Sequence, residues 1–106
     1  KVYIGKVTNW FDRIGVAEVE VQAAPLHQGD EILFIGRTTG ILEMKIGDMR
    51  VDLLPAAEAP QGVRCSLAVP LDTQPEDLVN RHPDMRPGEK LHPRRGDKVY
   101  LWTSEK

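Results

Sequence analysis

The sequence holds a single cysteine, Cys65, among 106 residues. One thiol cannot form an internal disulfide, so a disulfide-stapled fold is excluded and a reducing compartment, the cytoplasm, is expected. Aromatic residues are scarce at 6%, and no apolar run exceeds a few residues. Neither a membrane span nor a signal-peptide core is therefore expected. An excess of one charge is missing too, because 14 basic and 16 acidic side chains leave a net −2. That near-neutrality, with 41% apolar residues, excludes a disordered polyelectrolyte. It also argues against a protein that works mainly by neutralising phosphate, since such domains are usually basic. Residues 1–106 are one domain's worth of chain, able to bury roughly two-thirds of the unfolded surface. A large catalytic domain does not fit this length. The chain starts at Lys1 rather than methionine, so the expectation is a domain excised from a longer protein.

What is present is alternation. Val63, Cys65, Leu67 and Val69 fall on one face of an extended chain, with Arg64, Ser66 and Ala68 on the other. Gly15, Ala17, Val19 and Val21 face one way, and Val16, Glu18 and Glu20 the other. Leu42, Met44 and Ile46 alternate with Glu43 and Lys45, and Met49, Val51 and Leu53 with Arg50 and Asp52. A period of two is the mark of a half-buried strand. Residues 31–36, EILFIG, are nearly all apolar, as in a strand covered on both sides. Residues 2–10 and 98–102 complete about seven expected strands.

Glycines separate these runs, at Gly15, Gly29, Gly36, Gly40, Gly47, Gly62 and Gly96. Glycine at such points supplies positive φ at low steric cost. Two turns share a chemistry: Gly29-Asp30 precedes EILFI, and Gly96-Asp97 precedes KVYLW. Short strands with such turns predict a small closed barrel or sandwich, and closure removes exposed sheet edges.

Residues 71–95 break the pattern, with four of the eight prolines and no alternation. Within them, 75–81 is expected as a short helix, with Pro75 in the first turn beside Glu76 and Asp77. The rest is expected as a long irregular insertion before the last strand, and loops of this length are usually functional. Residues 1–80 carry seven basic and twelve acidic side chains, whereas 81–95 carry Arg81, Arg86, Lys90, Arg94 and Arg95 against Asp84 and Glu89. Positive charge is thus concentrated in the insertion of an otherwise acidic chain.

The order IGKVTNWFDRIGVAEVEV, LHQGDEILFIGRTTG, MRVDLLPAAEAPQGVRCSLAV and RRGDKVYLW resembles the β-barrel known as domain 2 of elongation factor Tu and related translation GTPases. It resembles more closely the C-terminal β-barrel of the collagenase-like peptidases, a family of unassigned mechanism. The resemblance covers the chain except residues 71–93. It rests on Gly5-Lys6-Val7, Gly15-Val16-Ala17, Gly29-Asp30, Gly36-Arg37-Thr38-Thr39-Gly40 and Arg95-Gly96-Asp97-Lys98-Val99-Tyr100. It implies an all-β fold, a small closed barrel of the translation-factor domain 2 type, and a catalytic region upstream that nothing in this chain resembles. No phosphate-binding Gly-x-x-x-x-Gly-Lys-Ser/Thr run exists, so GTPase chemistry is excluded.

Four candidate sites follow. His82, Asp84 and His92 share the insertion, but the two histidines are ten residues apart. Zinc ligands usually pair within about two to five residues, and Cys65 points inward, so no metal is assigned. Carboxylates such as Glu18, Glu20, Asp48 and Asp52 fit a solvated face better than an acid–base pair, and no catalytic residue or cofactor is assigned. Lys6, Arg13, Arg37 and Lys45, with Trp10 and Phe11 as stacking surfaces, form a candidate RNA-binding face. The preferred reading there is that Trp10, Phe11 and Trp102 cap the core, because a net −2 yields little counterion release. Arg81, Arg86, Lys90, Arg94 and Arg95 either dock an acidic surface of a preceding domain or partner, or form a solvated insertion. The expected function is a non-catalytic accessory module that presents substrate or docks to a catalytic domain of the same chain. The alternatives are a free-standing RNA- or ribosome-binding module and a small metal-dependent enzyme.

Overall fold

Alternation in the sequence becomes burial in space. The structure is a computed structural model that describes residues 1–70 and 91–102. Its strands are β1 (Val2–Phe11), β2 (Val16–Val21), β3 (Leu26–His27), β4 (Glu31–Gly36), β5 (Gly40–Lys45), β6 (Met49–Val51), β7 (Leu54–Pro55), β8 (Glu58–Ala59), β9 (Arg64–Ala68) and β10 (Lys98–Leu101). Eight of them form one antiparallel sheet in the order β5-β4-β10-β1-β2-β9-β6-β7, and β3 pairs with β8 separately. Among the described residues there is no helix, and so none long and apolar enough to cross a membrane. The expected helix at 75–81, the start of the insertion, and Arg81, His82, Asp84, Arg86 and Lys90 lie outside the described residues.

The all-β expectation holds, but closure does not. β5 and β7 end the sheet and do not pair with each other. The physical reason lies in β7, which is two residues long and contains Pro55. Proline has no amide hydrogen, so this edge offers almost nothing to pair with. The sheet instead curls around one core: Met44 of β5 and Met49 of β6 stand far apart in strand order yet belong to the same buried cluster. Ala17, Val19 and Val21 fill it from β2, and Cys65 and Leu67 from β9, as their alternation requires. Phe34 is wholly buried there, and truncating it to alanine would cost about 3–5 kcal/mol. Leu26 and Ala59 of the small β3–β8 ladder add to the same core.

Two expectations about single residues are corrected. Leu53 does not continue the inward face of Met49 and Val51. The strand ends at Val51, and Asp52 and Leu53 form a two-residue hairpin turn with φ of 53° and 67°. Both central residues left-handed is the type I′ geometry, which matches sheet twist and normally calls for Asn and Gly. Of the seven separating glycines, Gly15, Gly29, Gly40, Gly62 and Gly96 do adopt positive φ, but Gly36 and Gly47 do not. Gly36 is required for a different reason: a Cβ there would collide with the Asp97 carboxylate.

The two Gly-Asp turns are built alike. In His27–Asp30, the Asp30 amide donates to His27 O at 3.1 Å, and Asp30 Oδ2 accepts from the His27 amide at 2.9 Å. In Arg94–Asp97 the same bonds measure 3.0 and 2.9 Å. Gly29 and Gly96 take φ of 90° and 93° at the third position, where a type II turn needs glycine. Each turn delivers the chain into a strand with its own aspartate holding the entry.

Candidate functional site

Sheet topology sets which candidates meet. β1 and β4 both run antiparallel to β10, so they point the same way. The β1–β2 turn with Arg13, the β4–β5 turn with Arg37, and the segment carrying His92, Arg94 and Arg95 therefore gather at one end of the sheet. Lys6 is exposed on β1, level with Glu20 on one neighbour and Lys98 on the other. Lys45 is carried at the far end of β5, opposite Glu31, away from this group.

At that end β1 is irregular between Val7 and Asn9, where Thr8 is the extra residue. Thr8 Oγ1 donates to Glu18 Oε1 at 2.8 Å. Arg95 Nε donates to Thr8 O at 3.0 Å, and its Nη2 reaches Asn9 Oδ1 at 3.5 Å. Arg95, expected as a docking residue, thus ties the last loop to the bulge. The Arg94 amide binds Asp97 in the turn described above.

Trp10 and Phe11 part company. Trp10 pairs with inward Ala17 and packs against the core edge. Its ring stacks on His92 with centroids 5.0 Å apart and planes 8° from parallel. Its Nε1 donates to Asp12 Oδ1 at 3.2 Å. That ring is already stacked and bonded within the chain, as the capping reading expected. Phe11 and Trp102 do not cap the core as expected: Phe11 is opposite Val16 and lies on the outer face, and Trp102 is 45% exposed.

The outer face around Phe11 holds what sequence reasoning missed. Phe11, Ile14, Val16, Leu53 and Ala68 line an open groove of about 500 Å³, with Glu18, Asp48, Arg50 and Ser66 supplying its polar rim. Ile14 is 70% exposed and Leu53 86%. Alternation assigned Val16 and Ala68 outward, yet gave no sign that the two turns would fold Ile14 and Leu53 toward the same groove. Contiguous exposed apolar side chains with a polar rim mark interaction surfaces.

The titratable groups give little for chemistry. The Cys65 thiol is pushed up to about 12, first by burial and then by the nearby Glu18 charge. A thiol so held is protonated and not nucleophilic. His27 lies between Asp30 and Glu58, at 3.6 and 3.2 Å, in an exposed cluster. Among the described residues no group of three or more His, Cys, Asp or Glu side chains is placed to hold a metal ion.

No family model matches the chain. It is 40% identical over 81 residues to a collagenase of Porphyromonas gingivalis, an alignment covering 76% of this chain and 20% of that protein. It is 38% identical over 64 residues to an uncharacterized protease of Methanocaldococcus jannaschii, covering 60% of this chain and 16% of the other. The chain thus spans about a fifth of the length of these curated relatives. Among solved structures it matches the C-terminal domain of a protein described as a U32 peptidase from Geobacillus thermoleovorans, with a TM-score of 0.67 and 15% identity over 96% of this chain and 93% of that one. A selenomethionine form of the same domain gives a TM-score of 0.66. The chain therefore has the fold of a U32 peptidase C-terminal domain and is similar in sequence to proteins named as collagenase and protease.

Proposed function

We propose that this chain is a non-catalytic accessory domain of a collagenase-like peptidase, docking to the catalytic part of the same protein and presenting substrate to it. The observation that carries the reading is the outer-face groove with exposed Phe11, Ile14 and Leu53. A left-handed leucine at a solvent-exposed turn is unfavourable by about 1–2 kcal/mol without a return. Strain of this kind is kept where a contact needs the side chain. The short span of the alignments supports a partner within the same polypeptide, because the curated relatives extend far beyond the matched region. The protonated, buried Cys65 supports the absence of chemistry in this portion.

Hydrogen exchange tests the docking. In the protein carrying this region together with the remainder found in its relatives, residues 11–16 and 48–54 exchange more slowly than in residues 1–106 alone. Ile14→Asp with Leu53→Asp abolishes that difference. Equal exchange in the two proteins would sink the docking claim, and peptide hydrolysis at enzymatic rates by residues 1–106 alone would sink the non-catalytic one.

A further inference from the structure

An open sheet has two edges, and here they are unlike. β7 is blunted by its length and Pro55. β5 runs six residues without proline, and among the described residues it pairs only with β4. The direction of its free backbone groups follows from its neighbours. The Ile46 amide donates to Asp30 O at 2.8 Å, and Ile46 O accepts from the Gly29 amide at 2.8 Å, so residue 46 points both groups toward the β4 side. Alternation then turns the N–H and C=O of Ile41, Glu43 and Lys45 to the open side. The Trp102 amide bonding to Glu31 O, on the face of β4 away from β5, agrees with that phase. Among the described residues no backbone hydrogen bond fills this edge. Another extended chain matches such a row of alternating donors and acceptors along its length.

We propose that the edge is filled by a second copy of this chain, with the two β5 strands pairing antiparallel about a two-fold axis through Met44. The charges select that occupant and register. With the axis at Met44, Glu43 stands opposite the partner's Lys45, in the orientation where both residues exchange N–H···O bonds, and symmetry repeats the pair. Neither Glu43 nor Lys45 has an ion-pair partner among the described residues. On the inner face Met44 meets the partner's Met44, and Leu42 meets the partner's Ile46, so apolar faces apolar. Ile41, 59% exposed, falls opposite the partner's Gly47, beside which there is open space. Moving the axis to Glu43 would set Glu43 against the partner's Glu43, and like charges directly opposite are destabilising. The proposal rests on this edge alone and stands apart from the docking groove of β1, β2, β6 and β9.

A six-residue edge buries less than a standard stable interface, so the dimer is weak, with a Kd of about 10–500 μM. Sedimentation equilibrium from about 10 μM to about 1 mM tests it on the protein and on Glu43→Lys, Lys45→Glu and the double exchange. The wild type dimerises with rising concentration. Each single reversal places like charges opposite at both symmetric pairs and weakens the dimer roughly 10-fold or more. The double exchange restores opposite charges and returns the Kd to within about 3-fold of wild type. A wild type monomeric throughout, single reversals that dimerise like wild type, or a double exchange as weak as the singles would each overturn the proposal.

Discussion

The Asp97 carboxylate occupies the place where a side chain on Gly36 would have to stand. These residues belong to different hairpins, one in the turn before β10 and the other at the end of β4. Their contact locks the two turns at one end of the sheet. Asp97 Oδ2 accepts from Thr39 Oγ1 at 2.5 Å and from the Arg94 amide at 2.9 Å, and both Asp97 and Thr39 are buried. The Asp97 backbone is held too, with its carbonyl accepting from the Val7 amide at 2.8 Å.

Gly36→Ala forces the carboxylate away from these donors. Overpacking of this kind costs about 1–3 kcal/mol, and the displaced hydrogen bonds add to it. A urea melt of the variant shows a lower midpoint with an unchanged slope. Gly47→Ala, where nothing stands near the added methyl and φ is not positive, serves as the control and shifts the midpoint little.

Thr39→Val removes the hydroxyl donor while keeping the shape, leaving a buried carboxylate short of one bond. The expected cost is about 1–3 kcal/mol. Combined with Asp97→Asn in a double-mutant cycle, the pair shows a coupling of about 1 kcal/mol or more, as directly bonded residues do. Additive effects would mean that the bond adds nothing to stability.

Leu53→Gly relieves the left-handed strain at a position that is mostly exposed. It raises stability by about 1 kcal/mol, read as a higher urea midpoint. Asp52→Asn in the same background improves the type I′ turn further. A loss of stability would show that Leu53 is held by contacts its exposure hides.

Cys65 resists alkylation at pH 8 in the folded protein and reacts on unfolding. Its folded pKa of about 12 lies above the 9.0 of a free thiol, so the folded state keeps its proton where the unfolded state loses it. This contribution to stability is fully present below about pH 9 and is lost as pH climbs toward about 12. Cys65→Ser, whose hydroxyl does not titrate in that range, loses that part of the alkaline destabilisation, which urea melts at pH 8 and pH 10.5 measure.

Much of the strand pattern was legible because burial on one face needs a period of two. Ala17, Val19, Val21, Leu42, Met44, Cys65 and Leu67 are all inward where alternation placed them. β3, β7 and β8 were not legible, because two residues hold no period. Leu53 misled for a related reason: it extends an alternation whose strand has already stopped, and Asp-Leu gives no chemical sign of a turn that usually takes Asn-Gly. Of the candidate site, Trp10 and Phe11 are neighbours in sequence, yet their opposite directions on β1 follow only from pairing with Ala17 and Val16.

The sequence by itself determined the longer strands, most of their inward faces and the two Gly-Asp turns. Those depend on contacts within a few residues: alternation along one strand, and an aspartate reaching an amide three positions back. Tertiary structure alone decided that Asp97 lies against Gly36 and Thr39 while Asp30 stays near the surface. It also decided that the sheet stays open at β5, and that Phe11, Ile14 and Leu53 share one groove. Each of these joins residues far apart in the chain, and curling a sheet around one core brings together positions that local chemistry does not relate.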